Sequence, residues 1–307
     1  MDIFHFRQTE SNAPHNTVLT IGNFDGVHLG HQALIRQVVQ EAAEMGVKSA
    51  LMTFQPHPQA VLRGAPVPML TSLPLRLRLF EELGLDSAYL IPFTREFAAK
   101  PPQAFMEEFL LNTFKVRKLI IGFDFQFGRD REGSSRLLRA FSQAHGFGFE
   151  IFPEVSLNGE KVSSTRIRAA LERGDFPAAH HFLGRPFSVL EEVMRGDQRG
   201  RLLGFPTVNQ HPEAPLPIGY GVYAARAVVD GVAHQGVANY GVRPTFGASR
   251  PVLETHLFDF SADIYGQLVE VIPVRRLRGE QRFPNAEALQ AQIAADLESA
   301  RQALGGE

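Results

Sequence analysis

Up to about residue 182, short apolar runs alternate with amphipathic stretches. Thr17–Ile21, Ser49–Phe54, Ala88–Ile91, Lys118–Ile121 and Phe149–Phe152 have the length and make-up of buried strands. Between them, apolar positions recur at helical spacing near 31–45, 74–84, 102–114, 134–145 and 165–173. This alternation predicts an α/β domain, a doubly wound parallel sheet whose ligands sit beyond the carboxyl ends of its strands. After Gly184-Arg185-Pro186 the pattern changes. Phe187–Val193, Gly221–Val229, Ala233–Ala238, Leu253–Phe258 and Leu268–Val274 are β-type runs punctuated by glycine and proline, as in a small antiparallel barrel. Pro284-Asn285 can open a last helix whose apolar stripe is Leu289, Ile293, Leu297, Ala300 and Leu304. The predicted domains are 1–182 and 183–307.

A chain of 307 residues suits two domains, and 44% hydrophobic with 21% charged residues is ordinary for a globular protein. The net charge of −2 offers no whole-chain attraction to nucleic acid. No apolar run approaches the ~18 residues needed to span a membrane, and Met1–Arg7 lacks the features of a secretion signal. With no cysteine, thiolate catalysis, thiolate metal sites and disulfides are excluded. The expectation is a cytoplasmic enzyme without membrane or nucleic-acid partners; the apolar stripe of the last helix leaves oligomeric state open.

The most informative segment is Gly22-Asn23-Phe24-Asp25-Gly26-Val27-His28-Leu29-Gly30-His31-Gln32, which joins a predicted strand to a predicted helix. Its glycines permit tight turns and close backbone approach. Unpaired N–H groups at the helix start favour an anion, and two imidazoles there can stabilise a phosphate whose charge grows during reaction. A second helix opens with Val162-Ser163-Ser164-Thr165-Arg166-Ile167-Arg168. Arginines in a first turn oppose the helix dipole unless an anion shares the place, so Ser164, Thr165 and Arg168 are read as holders of triphosphate oxygens. Gly122-Phe123-Asp124-Phe125-Gln126-Phe127-Gly128 follows a strand, and its aromatics either wall a ring or form a core stripe. In the second half, Gly200, Arg201, Gly204, Thr207 and Asn209 form either a polar β-turn or a phosphate cradle followed by hard oxygen ligands for Mg2+. Glu254, inside an apolar strand, is either a solvent-facing residue by alternation with Thr255 and Leu257 or a base that takes a proton from an attacking alcohol.

These strings carry a resemblance. His28-Leu-Gly-His31 is similar to the HxGH signature of nucleotidylyltransferases, and the longer string to their flavin-specific branch. The run 162–168 resembles that branch's Ile-Ser-Ser-Thr-Arg-Ile-Arg; Gln126 stands where it typically has arginine. Gly204-Phe205-Pro206-Thr207-Val208-Asn209 resembles the Gly-Phe-Pro-Thr-Ala-Asn motif of riboflavin kinases, with Val208 for alanine. Gly219–Ala224, Gly241–Phe246 and Ile264–Gly266 fit as well. In this order the motifs resemble the prokaryotic bifunctional riboflavin kinase/FAD synthetase family over nearly the whole chain.

The resemblance implies a Rossmann-like FMN adenylyltransferase domain followed by a riboflavin kinase barrel. It also implies ATP as co-substrate and Mg2+ at both sites, with riboflavin phosphorylated to FMN and FMN adenylylated to FAD. It makes His28 and His31 the stabilisers of adenylyl transfer, and Gly22, Asn23, Phe24, Asp25 and Gly26 part of the ATP site. His57 in the Pro-His-Pro turn, Phe123, Asp124, Phe125, Phe127, Tyr240 and Arg278 are expected at flavin, and Glu254 as the kinase base. A chain with one silent half would lack one of the two reactions. A flavin-binding module without catalysis would need none of the phosphate-handling residues.

Overall fold

The computed structural model describes residues 1–6, 16–195, 205, 207–242 and 251–305. They form two compact units, Met1–Val67 with Arg76–Ser163, and Pro68–Leu75 with Ser164–Glu307. In chain order the first elements are β1 (Asp2–His5), β2 (Thr17–Ile21), α1 (Leu29–Met45), β3 (Lys48–Gln55), α2 (Pro58–Arg63), α3 (Leu73–Glu82), β4 (Ser87–Pro92) and α4 (Arg95–Ala98). α5 (Pro102–Phe105) runs into a π-helical stretch, Met106–Thr113, and β5 (Lys118–Gly122), α6 (Ser135–His145) and β6 (Gly148–Phe152) follow. A small hairpin, β7 (Ser156–Leu157) and β8 (Glu160–Lys161), closes the series.

Six strands, all parallel, lie in the order β1-β4-β3-β2-β5-β6. The chain builds outward from β2 through β3 to β4, then returns to the other side with β5 and β6. The order therefore reverses between β2 and β5, and a crevice opens beyond their carboxyl ends. β2 is buried throughout, so its residues read as a continuous apolar run with buried threonines. The five predicted strands are all present, each within two residues of the expected ends; β1 went unpredicted because four residues of an edge strand leave little pattern. The helix expected at 102–114 is present, but most of it has π geometry.

The second unit begins with α7 (Ser164–Glu172) and α8 (Phe176–Leu183). α8 was not foreseen, although Asp175 caps it by accepting the Ala178 N–H (3.0 Å). β9 (Val189–Glu192), β10 (Val208–Gln210), β11 (Gly221–Val229), β12 (Val232–Val242), β13 (Pro251–Leu257) and β14 (Leu268–Gly279) form an antiparallel sheet in the order β10-β13-β12-β11-β14-β9. Its ends approach closure. The Met194 N–H donates to the Asn209 carbonyl (2.8 Å), and the Gln210 amide donates to the carbonyls of Glu191 (2.9 Å) and Val269 (2.7 Å). α9 (Ala286–Gly305) starts where Asn285 accepts the Ala288 N–H (2.9 Å) and packs Ala300 and Leu304 against Ala224 and Phe258. The fold is thus the expected parallel α/β sheet followed by a small barrel with a terminal helix.

Candidate functional site

The turn after β2 is strained. Phe24 (φ 50°) and Val27 (φ 40°) both lie in the left-handed region beside Gly26 (φ 88°), a conformation that a β-branched residue adopts rarely. Such strain persists only where surrounding contacts over-determine it. Here the Val27 N–H donates to the Phe24 carbonyl (3.2 Å), the Gln32 side chain donates to the Val27 carbonyl (2.9 Å), and the Thr53 hydroxyl donates to the Asn23 carbonyl (3.2 Å). A Cβ at Gly22 would stand 3.1 Å from the Phe24 ring, so a side chain there would require the ring to give way.

The turn delivers His28 to the N-cap of α1, where its Nδ1 accepts the His31 N–H (3.2 Å). An Nδ1 that accepts a hydrogen bond leaves the proton of the neutral ring on Nε2. The two rings stack, with centroids 3.6 Å apart and planes 14° from parallel. Gly30 lets the His28 ring lie there: a Cβ at that position would come within 3.2 Å of it. Burial, and secondarily the charge of His28, holds the His31 imidazolium well below the usual histidine range, so His31 is neutral at pH 7. Its Nδ1 is buried with no hydrogen-bond partner in the described structure. Asp25 is also buried in this turn.

Two further turns end the strands flanking β2. After β3, His57 repeats the geometry of His28: it caps α2, and its buried Nδ1 accepts the Gln59 N–H (3.2 Å). After β5 lies a cleft of about 310 Å³ lined by Phe123, Asp124, Phe125 and Gln126 together with Arg131, Ser134 and Ser135. Phe123 is exposed, with the Lys161 ammonium 4.1 Å above its ring. Phe127 differs from expectation. It is buried in the core with its ring 5.2 Å from that of Phe105, while Phe125, stacked on it at 5.7 Å, reaches the cleft.

Ser164, Thr165 and Arg168 occupy the first turns of α7, in the other compact unit. Arg168 Nε donates to the Pro68 carbonyl (2.8 Å), and the Arg166 guanidinium lies 5.5 Å over the Phe182 ring.

In the barrel, strand register does the gathering. Asn209 on β10 is directly paired with Glu254 on β13, and Glu254 with Asn239 on β12, so the three share one face. The Asn209 amide donates to the Thr207 carbonyl (3.0 Å) and hydroxyl (3.3 Å). His256 follows on the same face, edge-on to Phe205 at 5.7 Å. Gly200, Arg201 and Gly204 lie outside the described residues.

Two expected flavin residues have other employment. Tyr240 pairs with Leu253, on the face opposite to Glu254; it is buried, and its hydroxyl accepts the Leu216 N–H (2.8 Å). Burial pushes that hydroxyl's pKa up to about 12. Arg278 grips Asp296 of α9 through Nε (2.9 Å) and Nη2 (2.8 Å), and Gln292 donates to the same carboxylate (2.9 Å). Asp296 was not foreseen, since it lies within a helical stripe read as apolar. Arg76 was missed too, because α3 shows only an amphipathic pattern.

Among the described residues no group of three or more His, Cys, Asp or Glu could hold a metal, and no helix is long and apolar enough to cross a membrane.

A parallel-sheet unit with a histidine pair at its switch point, and a barrel with an acid beside an asparagine, define a transferase of nucleotidyl and phosphoryl groups. An FAD synthetase family model matches residues 10–166 and a riboflavin kinase model residues 183–304. Relatives named bifunctional riboflavin kinase/FMN adenylyltransferase are similar along most of their length. The Haemophilus influenzae protein is 39% identical over 285 residues, 92% of each chain, and the Escherichia coli K12 protein 38% over 300 residues, 96% of this chain and 95% of its own. A crystal structure from Streptococcus pneumoniae, described as a macrolide-efflux protein, has the same fold at TM-score 0.77 and 29% identity, covering 98% of this chain and 99% of that one. The chain belongs to the bifunctional riboflavin kinase/FMN adenylyltransferase family.

Proposed function

We infer that each unit performs one of the family's two reactions. The barrel transfers the γ-phosphoryl group of ATP to riboflavin, giving FMN and ADP. The parallel-sheet unit joins FMN to the AMP portion of ATP, giving FAD and pyrophosphate. Both reactions are placed in the cytoplasm, where ATP is at hand.

The observation that carries the adenylyl-transfer reading is the stacked His28–His31 pair on the strained turn, with a buried ring nitrogen awaiting a partner. A phosphate oxygen of FMN attacks the α-phosphorus, and charge grows on the non-bridging oxygens. Preorganised N–H donors at that place contribute most when they need not reorganise. His28 presents Nε2–H because its Nδ1 is already occupied, and neutral His31 adds a second donor. The N–H groups at the start of α1 add the helix dipole. Ser164, Thr165 and Arg168 at the start of α7 are suited to phosphate oxygens, and the cleft after β5 receives the flavin ring between Phe123 and Phe125.

In the barrel, Glu254 accepts the proton of riboflavin's primary alcohol as its oxygen attacks the γ-phosphorus. Thr207 and Asn209 would hold a magnesium ion through a hydroxyl and an amide oxygen, hard donors two residues apart, with Asn209 paired across the sheet to Glu254. When bound, magnesium neutralises phosphate charge. The protein's own share is to orient ATP and the alcohol.

The test is a chromatographic product assay with riboflavin, ATP and magnesium on the parent and on His28→Ala. FMN and FAD are expected from the parent. The variant should still make FMN but lose FAD formation by about 100-fold or more. FAD formation at the parental rate would remove the histidine pair from the reaction.

A further inference from the structure

We propose that Arg76 is a positioning residue for adenylyl transfer, setting the turn that carries His28 and His31; this rests on the reading of that turn given above. Arg76 projects from α3 and is only 1% exposed, among the most completely buried large side chains in the protein. Burying a guanidinium is unfavourable unless its donors are satisfied, so where they are spent is informative. Nη1 donates to the main-chain carbonyl of Asn23 (3.0 Å) and Nη2 to the side-chain oxygen of Gln55 (3.0 Å). One fork thus ties the turn after β2 to the end of β3, whose next residues lead to His57.

The Asn23 contact falls at a decisive point. The same carbonyl accepts the Thr53 hydroxyl (3.2 Å), so its peptide plane is held from two sides. A peptide plane is rigid, and fixing the Asn23 carbonyl restricts the φ of Phe24, the first left-handed residue of the turn. Phe24 and Val27 would relax toward ordinary φ without such restraint, and His28 would shift from the N-cap of α1. Arg76 acts on the histidine pair by way of the Asn23 carbonyl. Its effect passes through the backbone.

Lysine cannot reproduce this, because a single ammonium lacks the planar fork that reaches two acceptors at once. Three variants of the full-length protein, Arg76→Met, Arg76→Lys and Arg76→Ala, test the proposal beside His28→Ala. FAD formation from supplied FMN and FMN formation from riboflavin are measured on each. Arg76→Met is expected to lower kcat for FAD formation by about 100-fold, the consequence of a displacement near 1 Å, with little change in KM for ATP or FMN. FMN formation by the same chain should persist, and Arg76→Lys should fall between parent and Arg76→Met. Millimolar guanidinium should restore part of the kcat lost in Arg76→Ala, as a role in bulk packing would not allow. A raised KM at unchanged kcat would overturn the proposal, as would equal loss of both reactions without recovery in Arg76→Lys or with guanidinium. Full FAD formation by His28→Ala would instead sink the reading of the turn itself.

Discussion

In the parallel-sheet unit, His28 and His31 are three positions apart and their rings stack, so the reacting groups are neighbours in sequence before they are neighbours in space. In the barrel, Asn209 and Glu254 come from distant segments and meet only because β10 pairs with β13 in one register. The first arrangement depends on a local turn held under strain. The second depends on sheet pairing, and a slip of one residue would put Glu254 on the other face. A turn motif can be found by eye in a sequence, whereas a register pair requires the fold. The difference also separates how each site should fail: the turn through loss of restraints, the barrel through loss of pairing or closure.

Disabling one site and watching the other separates the two arrangements most strongly. Glu254→Gln keeps the strand and its hydrogen bonds but cannot take a proton. It should lower FMN formation by about 100- to 10,000-fold. FAD formation from supplied FMN should be untouched. Steady-state assays with riboflavin and FMN offered separately check both. If riboflavin phosphorylation survives, Glu254 is an ordinary solvent-facing strand residue and the row through Asn209 loses its centre.

A second prediction concerns a charge that looked functional. Arg278 and Asp296 form a two-pronged ion pair joining β14 to α9, and Asp296 is nearly inaccessible. Removing one partner of a buried pair leaves the other charge without compensation. Asp296→Ala should therefore cost about 3 kcal/mol, a fall of roughly 6–12 °C in the Tm of the barrel's transition. Arg278→Met should show a similar fall in scanning calorimetry, with KM for riboflavin unchanged. A raised KM with intact Tm would return Arg278 to the flavin site.

How much was legible follows the same division. The alternation of runs disclosed both architectures, and the glycine-flanked histidines disclosed the strand-to-helix turn. The run 162–168 disclosed a helix start rich in hydroxyls and arginines, and that helix is there. What stayed hidden depends on which way a side chain faces. Phe127 shares a segment with the cleft residues but turns into the core. Tyr240 differs from Asn239 by one position and so by one face of the sheet. Arg76 and Asp296 are charged residues on amphipathic helices, where charge normally marks solvent; only tertiary contacts reveal them as buried. Val27's left-handed backbone had no signature, since valine is among the last residues expected there.

The two units should also answer pH in opposite directions. His31 is held neutral in the fold, with its pKa well below 6.5, while in the unfolded chain it titrates near that value. Above 6.5 both states are neutral and the fold is undisturbed. As pH falls below 6.5 the unfolded chain takes up the proton first, and stability is lost until the folded pKa is passed. The loss can reach about 1.4 kcal/mol per pH unit in that window. His31→Gln should flatten the pH dependence of the first unit's Tm between pH 7 and 5. An unchanged slope would mean that His31 is not buried as a neutral ring.

Glu191 supplies the opposite sign in the barrel, and the smallest effect. Burial first, and then the charge of Glu213, raise its pKa from 4.5 to about 7, while a backbone hydrogen bond from Glu213 pulls the other way. The fold therefore favours the protonated acid. That contribution is complete below 4.5 and disappears as pH rises toward 7, because the unfolded carboxyl ionises freely while the folded one resists. Its carbonyl also accepts the Gln210 amide that helps close the barrel, so the strain falls where β9 approaches β10. Glu191→Gln keeps the shape and removes the charge. Since the side chain is partly reached by solvent, the gain at pH 8 should be only about 1 kcal/mol, with none at pH 4.5. Thermal melts at the two pH values read the difference directly. A gain of equal size at both would assign the effect to packing, and a loss at pH 8 would show that the ionised carboxylate is welcome where β9 meets β10.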